Sequence, residues 1–112
     1  MDRFAQLGAV ATLEALDQSR LEVTQENSER VSVMVSSGIG GIITLSQQTE
    51  VLLSSGPSRV TPFLVPMMLP DMAAGQISML LGAKGPNFIT VSACSSGADA
   101  IGQAFETIRR GD

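Results

Sequence analysis

The chain contains no histidine, no tryptophan and no tyrosine, and it carries one cysteine in 112 residues. Without imidazole it can build no His-ligated metal site, no Ser-His-Asp triad and no imidazole acid–base chemistry from its own residues. No metal or cofactor is expected on this composition. One thiol cannot close an internal disulfide, which excludes a secreted disulfide scaffold. Positive charge is scarce as well: seven basic against eleven acidic side chains give a net charge of −4 and a pI near 4.6. Nucleic acid is therefore not an expected partner, because phosphate binding rests on clustered Lys and Arg. What the chain does have is 44% apolar residues, enough to build a core at the size of one ordinary domain.

The start, Met1-Asp2-Arg3-Phe4, lacks the basic region and apolar stretch of a signal peptide. The longest uncharged stretch, Val31 to Thr49, holds three glycines, four serines and two glutamines, which suits no bilayer span. No membrane is expected as a partner, and the reducing cytoplasm is the expected compartment. Charge is distributed unevenly. Nine charged residues lie in positions 1–30, whereas Val31 to Ala98 holds only Glu50, Arg59, Asp71 and Lys84. So sparse a surface implies that the middle is covered, by a larger body or by a partner. A neutral surface of Ser, Gln and Thr is the alternative.

Periodicity divides the chain into helix–strand–helix–helix–strand–helix, an α/β arrangement. Arg3 to Ser19 reads as a helix capped by Asp2, with Phe4, Leu7, Val10, Ala11, Leu13 and Leu16 as its apolar stripe. Val31 to Val35 alternates and is β-branched, as a strand should be. Ile42 to Leu53 is the next expected helix. Pro57, Pro62, Pro66 and Pro70 then break the chain into single turns. Asp71 to Leu81 predicts a buried helix and Asn87 to Ser92 a second strand. Gly97 to Arg110 predicts a final helix with Ala100, Ile101, Ala104, Phe105 and Ile108 on its apolar side. Two strands make a poor sheet with open edges, so residues 1–112 read as an internal segment of a longer protein.

The chemistry concentrates in Ser92-Ala93-Cys94-Ser95-Ser96-Gly97. The only thiol falls where a strand should turn into a helix, as in a nucleophile elbow with sulfur in place of oxygen. Unpaired N–H groups and the macrodipole at that helix start favour a thiolate, and the Cys94 N–H is placed to donate to an acyl oxyanion. Small neighbours leave room for a thioester. A small buried hydrophobe is the competing reading of a lone cysteine, and position alone leaves both open. Gly38, Gly40 and Gly41 match neither a dinucleotide fingerprint, which needs glycine where Ile43 stands, nor a P-loop, which needs Gly-Lys-Ser/Thr. They read instead as close backbone packing or a pocket floor, with Ile39 as lining or core. Met67, Met68, Met72 and Met79 suit core filling or a pocket for a greasy chain. Arg59 stands alone in a neutral stretch, as a solvated side chain or a contact for an acidic partner.

Six ordered blocks span the chain: Ser37-Gly38-Ile39-Gly40-Gly41; Gly56-Pro57 with Val60-Thr61-Pro62-Phe63; Met72-Ala73-Ala74-Gly75; Gly85-Pro86-Asn87; Ala93-Cys94-Ser95-Ser96-Gly97; and Ile108-Arg109-Arg110-Gly111-Asp112. Together they resemble the β-ketoacyl-acyl-carrier-protein synthases, in particular the type II condensing enzymes of bacterial fatty-acid elongation. The resemblance implies a thiolase-like αβαβα layered fold of two related halves, a homodimer, and residues 1–112 as a partial N-terminal half without the first strands. It implies that Cys94 takes the acyl chain from acyl carrier protein as a thioester, and that malonyl carrier protein then condenses with it by decarboxylative Claisen chemistry. It further implies that Ile39 gates the acyl pocket with Ala93 against it, and that Phe63, Leu64 and Val65 reach the partner subunit's pocket. Asn87 to Ser92 would pair across the dimer axis, and Arg59 would meet the acidic carrier protein. Asp71 stands where such enzymes usually carry Asn, and Ser58 where a second basic residue can occur. The catalytic histidines and lysine of the family belong to the second half, so the 112 residues alone are expected to be inactive in condensation. Two other classes are the alternatives: a non-catalytic chain-length-factor-like subunit, against which Cys94 argues, and a structural or interaction fragment.

Overall fold

The computed structural model describes residues 1–112, and its regular structure is helical. The elements are α1 (Arg3–Ser19), α2 (Ile42–Ser55), α3 (Leu64–Met68), α4 (Met72–Leu81) and α5 (Ser96–Arg110), with 3₁₀ turns at Ser28–Arg30, Pro57–Arg59 and Ala93–Ser95. The helices therefore lie close to where periodicity places them, and the proline-rich stretch forms short turns as expected.

The two expected strands do not form. Between 31–35 and 87–92 the only ladder element is a single parallel bridge, Val33 to Asn87. The segments nevertheless run side by side in one register. The Gly85 N–H donates to the Val31 carbonyl at 3.0 Å, and the Thr90 N–H donates to the Ser36 hydroxyl at 3.2 Å, an offset of 54 residues. Val31 with Gly85 and Val33 with Asn87 keep that same offset. Parallel pairing is the weaker kind and normally lives inside wide sheets covered on both faces. Here neither segment has a further strand on its outer edge, and the rung at Thr90 goes to a side-chain hydroxyl instead of backbone. The strand pattern in the sequence thus sets register and facing without a hydrogen-bonded ladder.

Facing is what organises the body. Val31, Val33 and Val35 turn toward α1 and α4, where Ala9, Val33, Ala74, Ile77 and Ala83 form the core with Ile89 packed against it. Ser32 and Met34, the alternate positions, line a depression on the other side together with Ala104, Thr107 and Ile108 of α5. α1 meets α4 closely, and the face it presents is Ala5, Gly8 and Ala9. A Cβ at Gly8 would stand 3.2 Å from the Val35 methyl and 3.5 Å from Ile77 Cδ1, so only small residues fit. The larger stripe expected to be the packed one is corrected accordingly: Leu7, Val10 and Leu13 are exposed. α5 repeats the pattern, burying Ala100 and Thr107 while Ile101, Phe105 and Ile108 stand outside.

The result is a thin body. Ile77 is the only large side chain with no exposure at all. The radius of gyration is 15.8 Å over extents of 50 × 29 × 22 Å, against about 13 Å for a compact chain of this length. No helix is long and apolar enough to cross a membrane.

One buried carboxylate ties the helix starts together. Asp2, 4% exposed, caps α1 by accepting from the Phe4 N–H at 3.3 Å. Its other oxygen accepts from the Thr44 N–H at 2.8 Å and from the Thr44 hydroxyl, in the first turn of α2. Burial by itself pushes the Asp2 carboxyl up, but the bonds from Thr44, Phe4 and Arg3 outweigh it and hold the group below its ordinary value of 3.8. A carboxylate with a lowered folded-state pKa adds stability above its unfolded value and loses it as pH falls through the folded one. Asp2→Asn is expected to cost about 1–2 kcal/mol near neutral pH. Urea unfolding at a series of pH values should show that deficit shrinking steadily in acid; a deficit independent of pH would contradict the ionised clamp.

Candidate functional site

Two segments far apart in sequence meet at Cys94. Ser37, Gly38 and Ile39 from the loop before α2, with Ala93 and Cys94 from the turn before α5, line an open depression of about 410 Å³. Cys94 is exposed and unpaired. Thus Cys94, Ile39 and Ala93, separated by up to 55 residues in sequence, meet in space. The thiol is exposed in this chain and is not entombed among aliphatic side chains.

The glycine loop makes this meeting possible. A Cβ at Gly38 would lie 3.0 Å from the Ala93 carbonyl oxygen, so the loop and the Cys94 turn touch backbone to backbone. On the other side the Gly41 N–H donates to the Met68 carbonyl at 2.9 Å, and a Cβ there would overlap the Met67 carbonyl oxygen. Gly40 has φ +84 and so little room that a Cβ would stand 2.6 Å from the Met68 oxygen. The Ser37 hydroxyl accepts from the Gly40 N–H at 2.9 Å and the Ile39 N–H at 3.4 Å, closing a tight turn that presents Ile39 outward, 69% exposed. Close backbone packing and a pocket wall, the two readings of these glycines, are both realised.

The Cys94 turn is wound more tightly than a plain strand-to-helix junction. Cys94 lies inside the 3₁₀ turn Ala93–Ser95, which passes directly into α5 at Ser96, one residue earlier than expected. Ala93 is held at φ +50, a region sparsely used by residues with a Cβ. The Ser95 N–H donates to the Ser92 carbonyl at 3.0 Å. The Ser96 hydroxyl accepts from the Ser92 N–H at 2.9 Å and donates to the Ala93 carbonyl at 2.8 Å. Ser92 in turn donates its hydroxyl to Asp99 in the first turn of α5. The Cys94 N–H has no partner within the chain. An exposed thiol and a free N–H thus sit on the same residue at a helix start.

The other expected site residues lie apart. Phe63 precedes α3, and Leu64 and Val65 begin it, with Phe63 and Val65 exposed. None of the three lines a depression of this chain. Arg59 ends the turn Pro57–Arg59, exposed and without an ion pair. A larger depression of about 460 Å³, which includes Arg30, Met34, Thr107 and Ile108, sits at the far end of α5 from Cys94. Ser37, Ser96 and Asp99 were missed as site residues by sequence reasoning. Their signals were present as Ser two residues before Ile39, and Ser with Asp at a helix start, but such residues are common at turns.

The sequence model described as "Beta-ketoacyl synthase, N-terminal domain" matches residues 1–112. The chain is 48% identical over 112 residues to 3-oxoacyl-acyl-carrier-protein synthase 2 of Staphylococcus aureus. It is 42% identical over 111 residues to the Synechocystis protein of the same name. Among solved structures it resembles a beta-ketoacyl synthase from Burkholderia phymatum, with a TM-score of 0.79 at 29% identity over 99% of this chain. The chain spans 28% of the Staphylococcus protein, 27% of the Synechocystis one and 28% of the solved chain.

The loop contacts carry a stability prediction. Gly40→Ala, which adds a Cβ at positive φ against the Met68 carbonyl, is expected to cost about 1–3 kcal/mol. Gly102→Ala, in the middle of α5 with open space around it, should instead be neutral or gain about 0.5–1 kcal/mol. Thermal unfolding of the two variants against the parent measures both; equal effects would show that the glycine loop is not constrained.

Proposed function

The chain belongs to the β-ketoacyl synthase family, matching its N-terminal domain, and from that premise we propose that it is the nucleophile-bearing part of a 3-oxoacyl-acyl-carrier-protein synthase. The observation that carries this reading is the convergence of Cys94, Ala93 and Ile39 on one depression, with the Cys94 N–H unengaged.

The chemistry follows from that arrangement. The Cys94 thiolate attacks the carbonyl carbon of an acyl-carrier thioester, a carbon–sulfur bond forms, and the carbonyl π pair moves onto oxygen. The Cys94 N–H donates to that oxyanion, and the helix start behind it adds favourable potential. Collapse expels the carrier thiolate, which takes up a proton equivalent to the one Cys94 released. The acyl chain is left on Cys94, running past Ile39. Condensation then requires loss of carbon dioxide from a malonyl thioester and attack of the resulting carbanion on the acyl-Cys94 thioester. The 112 residues hold no histidine, so imidazole groups for that step belong to a part of the enzyme outside them. In this reading residues 1–112 form part of the N-terminal half of a thiolase-like αβαβα body, acting as a cytoplasmic homodimer. Phe63, Leu64 and Val65 would reach the partner subunit's acyl pocket, and Asn87 to Ser92 would meet the partner across the dimer axis.

Acyl transfer is testable directly. Incubation with an octanoyl thioester and intact-mass analysis should show one acyl group added, mapped to Cys94, saturable in thioester and abolished by Cys94→Ala. Labelling no faster than that of free cysteine would refute the nucleophile assignment.

Carrier docking rests on Arg59, the isolated exposed cation of a sparsely charged surface. Arg59→Glu should slow acyl transfer from an acidic carrier protein several-fold at low salt, with the difference fading as salt rises. Transfer from a small uncharged thioester should be unchanged. Stopped-time acylation assays with both donors at two ionic strengths make the comparison.

A further inference from the structure

Resting on the nucleophile reading of Cys94, we infer that Ser96 is a positioning residue for acyl transfer: its buried hydroxyl holds the Ala93–Cys94 peptide so that the Cys94 N–H points outward to an oxyanion. Ser96 is 2% exposed, although it stands at the first position of α5, where side chains usually face water. Its hydroxyl is fully engaged. It accepts from the Ser92 N–H at 2.9 Å and donates to the Ala93 carbonyl at 2.8 Å, tying the start of α5 back to the two residues that open the turn.

The Ala93 carbonyl and the Cys94 N–H belong to the same peptide unit, which is planar. Fixing the carbonyl therefore fixes the N–H, which points the opposite way across the peptide. With the carbonyl drawn inward by Ser96, the N–H is directed away from Ser96 and left without an internal partner. The same peptide is under backbone strain, because Ala93 sits at φ +50. Left to itself an alanine relaxes toward negative φ. That relaxation rotates the peptide and takes the N–H with it. Gly38 bounds the other side of this peptide, 3.0 Å from the Ala93 oxygen for a Cβ built there, but it supplies no hydrogen bond. The carbonyl also accepts from the Ser96 backbone N–H, which closes the 3₁₀ turn, and the Ser96 hydroxyl is the one side-chain donor added to it.

Acylation and alkylation of the same sulfur separate this role from a structural one. Attack on a thioester builds charge on oxygen and draws on the N–H. Attack on iodoacetamide displaces iodide at a saturated carbon and builds no oxyanion. The ratio of acylation rate (octanoyl thioester) to alkylation rate (iodoacetamide) at Cys94 therefore reports N–H placement, with thiol exposure and ionisation cancelling. Ser96→Ala in the purified protein should lower that ratio about tenfold or more. Ser96→Thr, which keeps the hydroxyl, should stay within about twofold of the parent. A parent-like ratio in Ser96→Ala overturns the inference, and so does a collapsed ratio in a folded Ser96→Thr. If Ser96→Ala loses its helical circular dichroism, Ser96→Thr is compared instead with Ser92→Ala. Ser92→Ala removes the hydroxyl bound to Asp99 but leaves the Ser96 bridge, so both variants should keep the parent ratio, and a fall in either overturns the inference. A parent protein that is not acylated at Cys94 at all is a different result, and overturns the nucleophile reading itself.

Discussion

The structure depends on one backbone constraint, the contact of the glycine loop at residues 38–41 with two other main-chain segments. On one side the loop lies against the Ala93 carbonyl, and on the other against the carbonyls of Met67 and Met68. Side chains cannot be interposed at any of these contacts without overlap or crowding. The loop therefore fixes the distance between the Cys94 turn and α3 and sets where α2 begins. It also places Ile39 beside the thiol. The Asp2–Thr44 clamp acts on the next turn of the same element, tying the start of α2 to the start of α1. A run of hydrogen bonds and close backbone contacts thus leads from the N-terminus through the glycine loop to the Cys94 turn.

Apolar burial follows a different logic. Ile77 alone among large side chains is wholly enclosed, and the packed faces of α1 and α5 are their small-residue faces. Small residues let elements approach closely, and close approach is what the loop and the α1–α4 crossing require. The larger residues on the same helices, Leu7, Val10 and Leu13 on α1 and Ile101, Phe105 and Ile108 on α5, are left outside. Contiguous exposed apolar faces of this kind mark surfaces that meet further protein. The charge-poor middle of the sequence likewise leaves Ile39, Ile42, Leu53 and Phe63 exposed.

Helix positions were legible because they depend on local signals. Asp2 as a cap, Gly82 and Gly111 at left-handed helix ends, and the proline spacing from 57 to 70 act over one or two turns. The strands were legible as pattern and illegible as ladder. Alternation at 31–35 correctly gives two facings, toward the core and toward α5, but hydrogen bonding depends on neighbours that sequence alternation cannot supply. The apolar stripe of α1 misled for a related reason. Hydrophobicity ranks Leu above Ala, whereas a close helix crossing selects Ala and Gly. At the site, Cys94, Ile39 and Ala93 were legible as candidates from the resemblance and from the single thiol, and the structure brings them to one depression. Ser37 and Ser96 were not, because a serine beside a turn has the same appearance whether it merely caps or orients the peptide that bears the chemistry.

That distinction bears on how so thin a body can hold a defined site. Hydrogen bonds are satisfied over short distances, and among buried side-chain polar atoms only Gln76 Oε1 lacks a partner. Hydrophobic enclosure needs volume, and a chain with one fully buried large residue has little of it. The Cys94 turn is shaped by the first kind of force: the Ser96 bridge, the Ser95 N–H to Ser92 bond and the backbone contact with Gly38. None of these needs a deep core beneath it. The depression beside Cys94 would need the second kind to close it, and it is open, with Ile39 standing at its edge. The geometry of the Cys94 turn and the enclosure of the depression beside it thus rest on separable physics: the first is written in local backbone and hydroxyl contacts, the second in apolar surface that this chain leaves open.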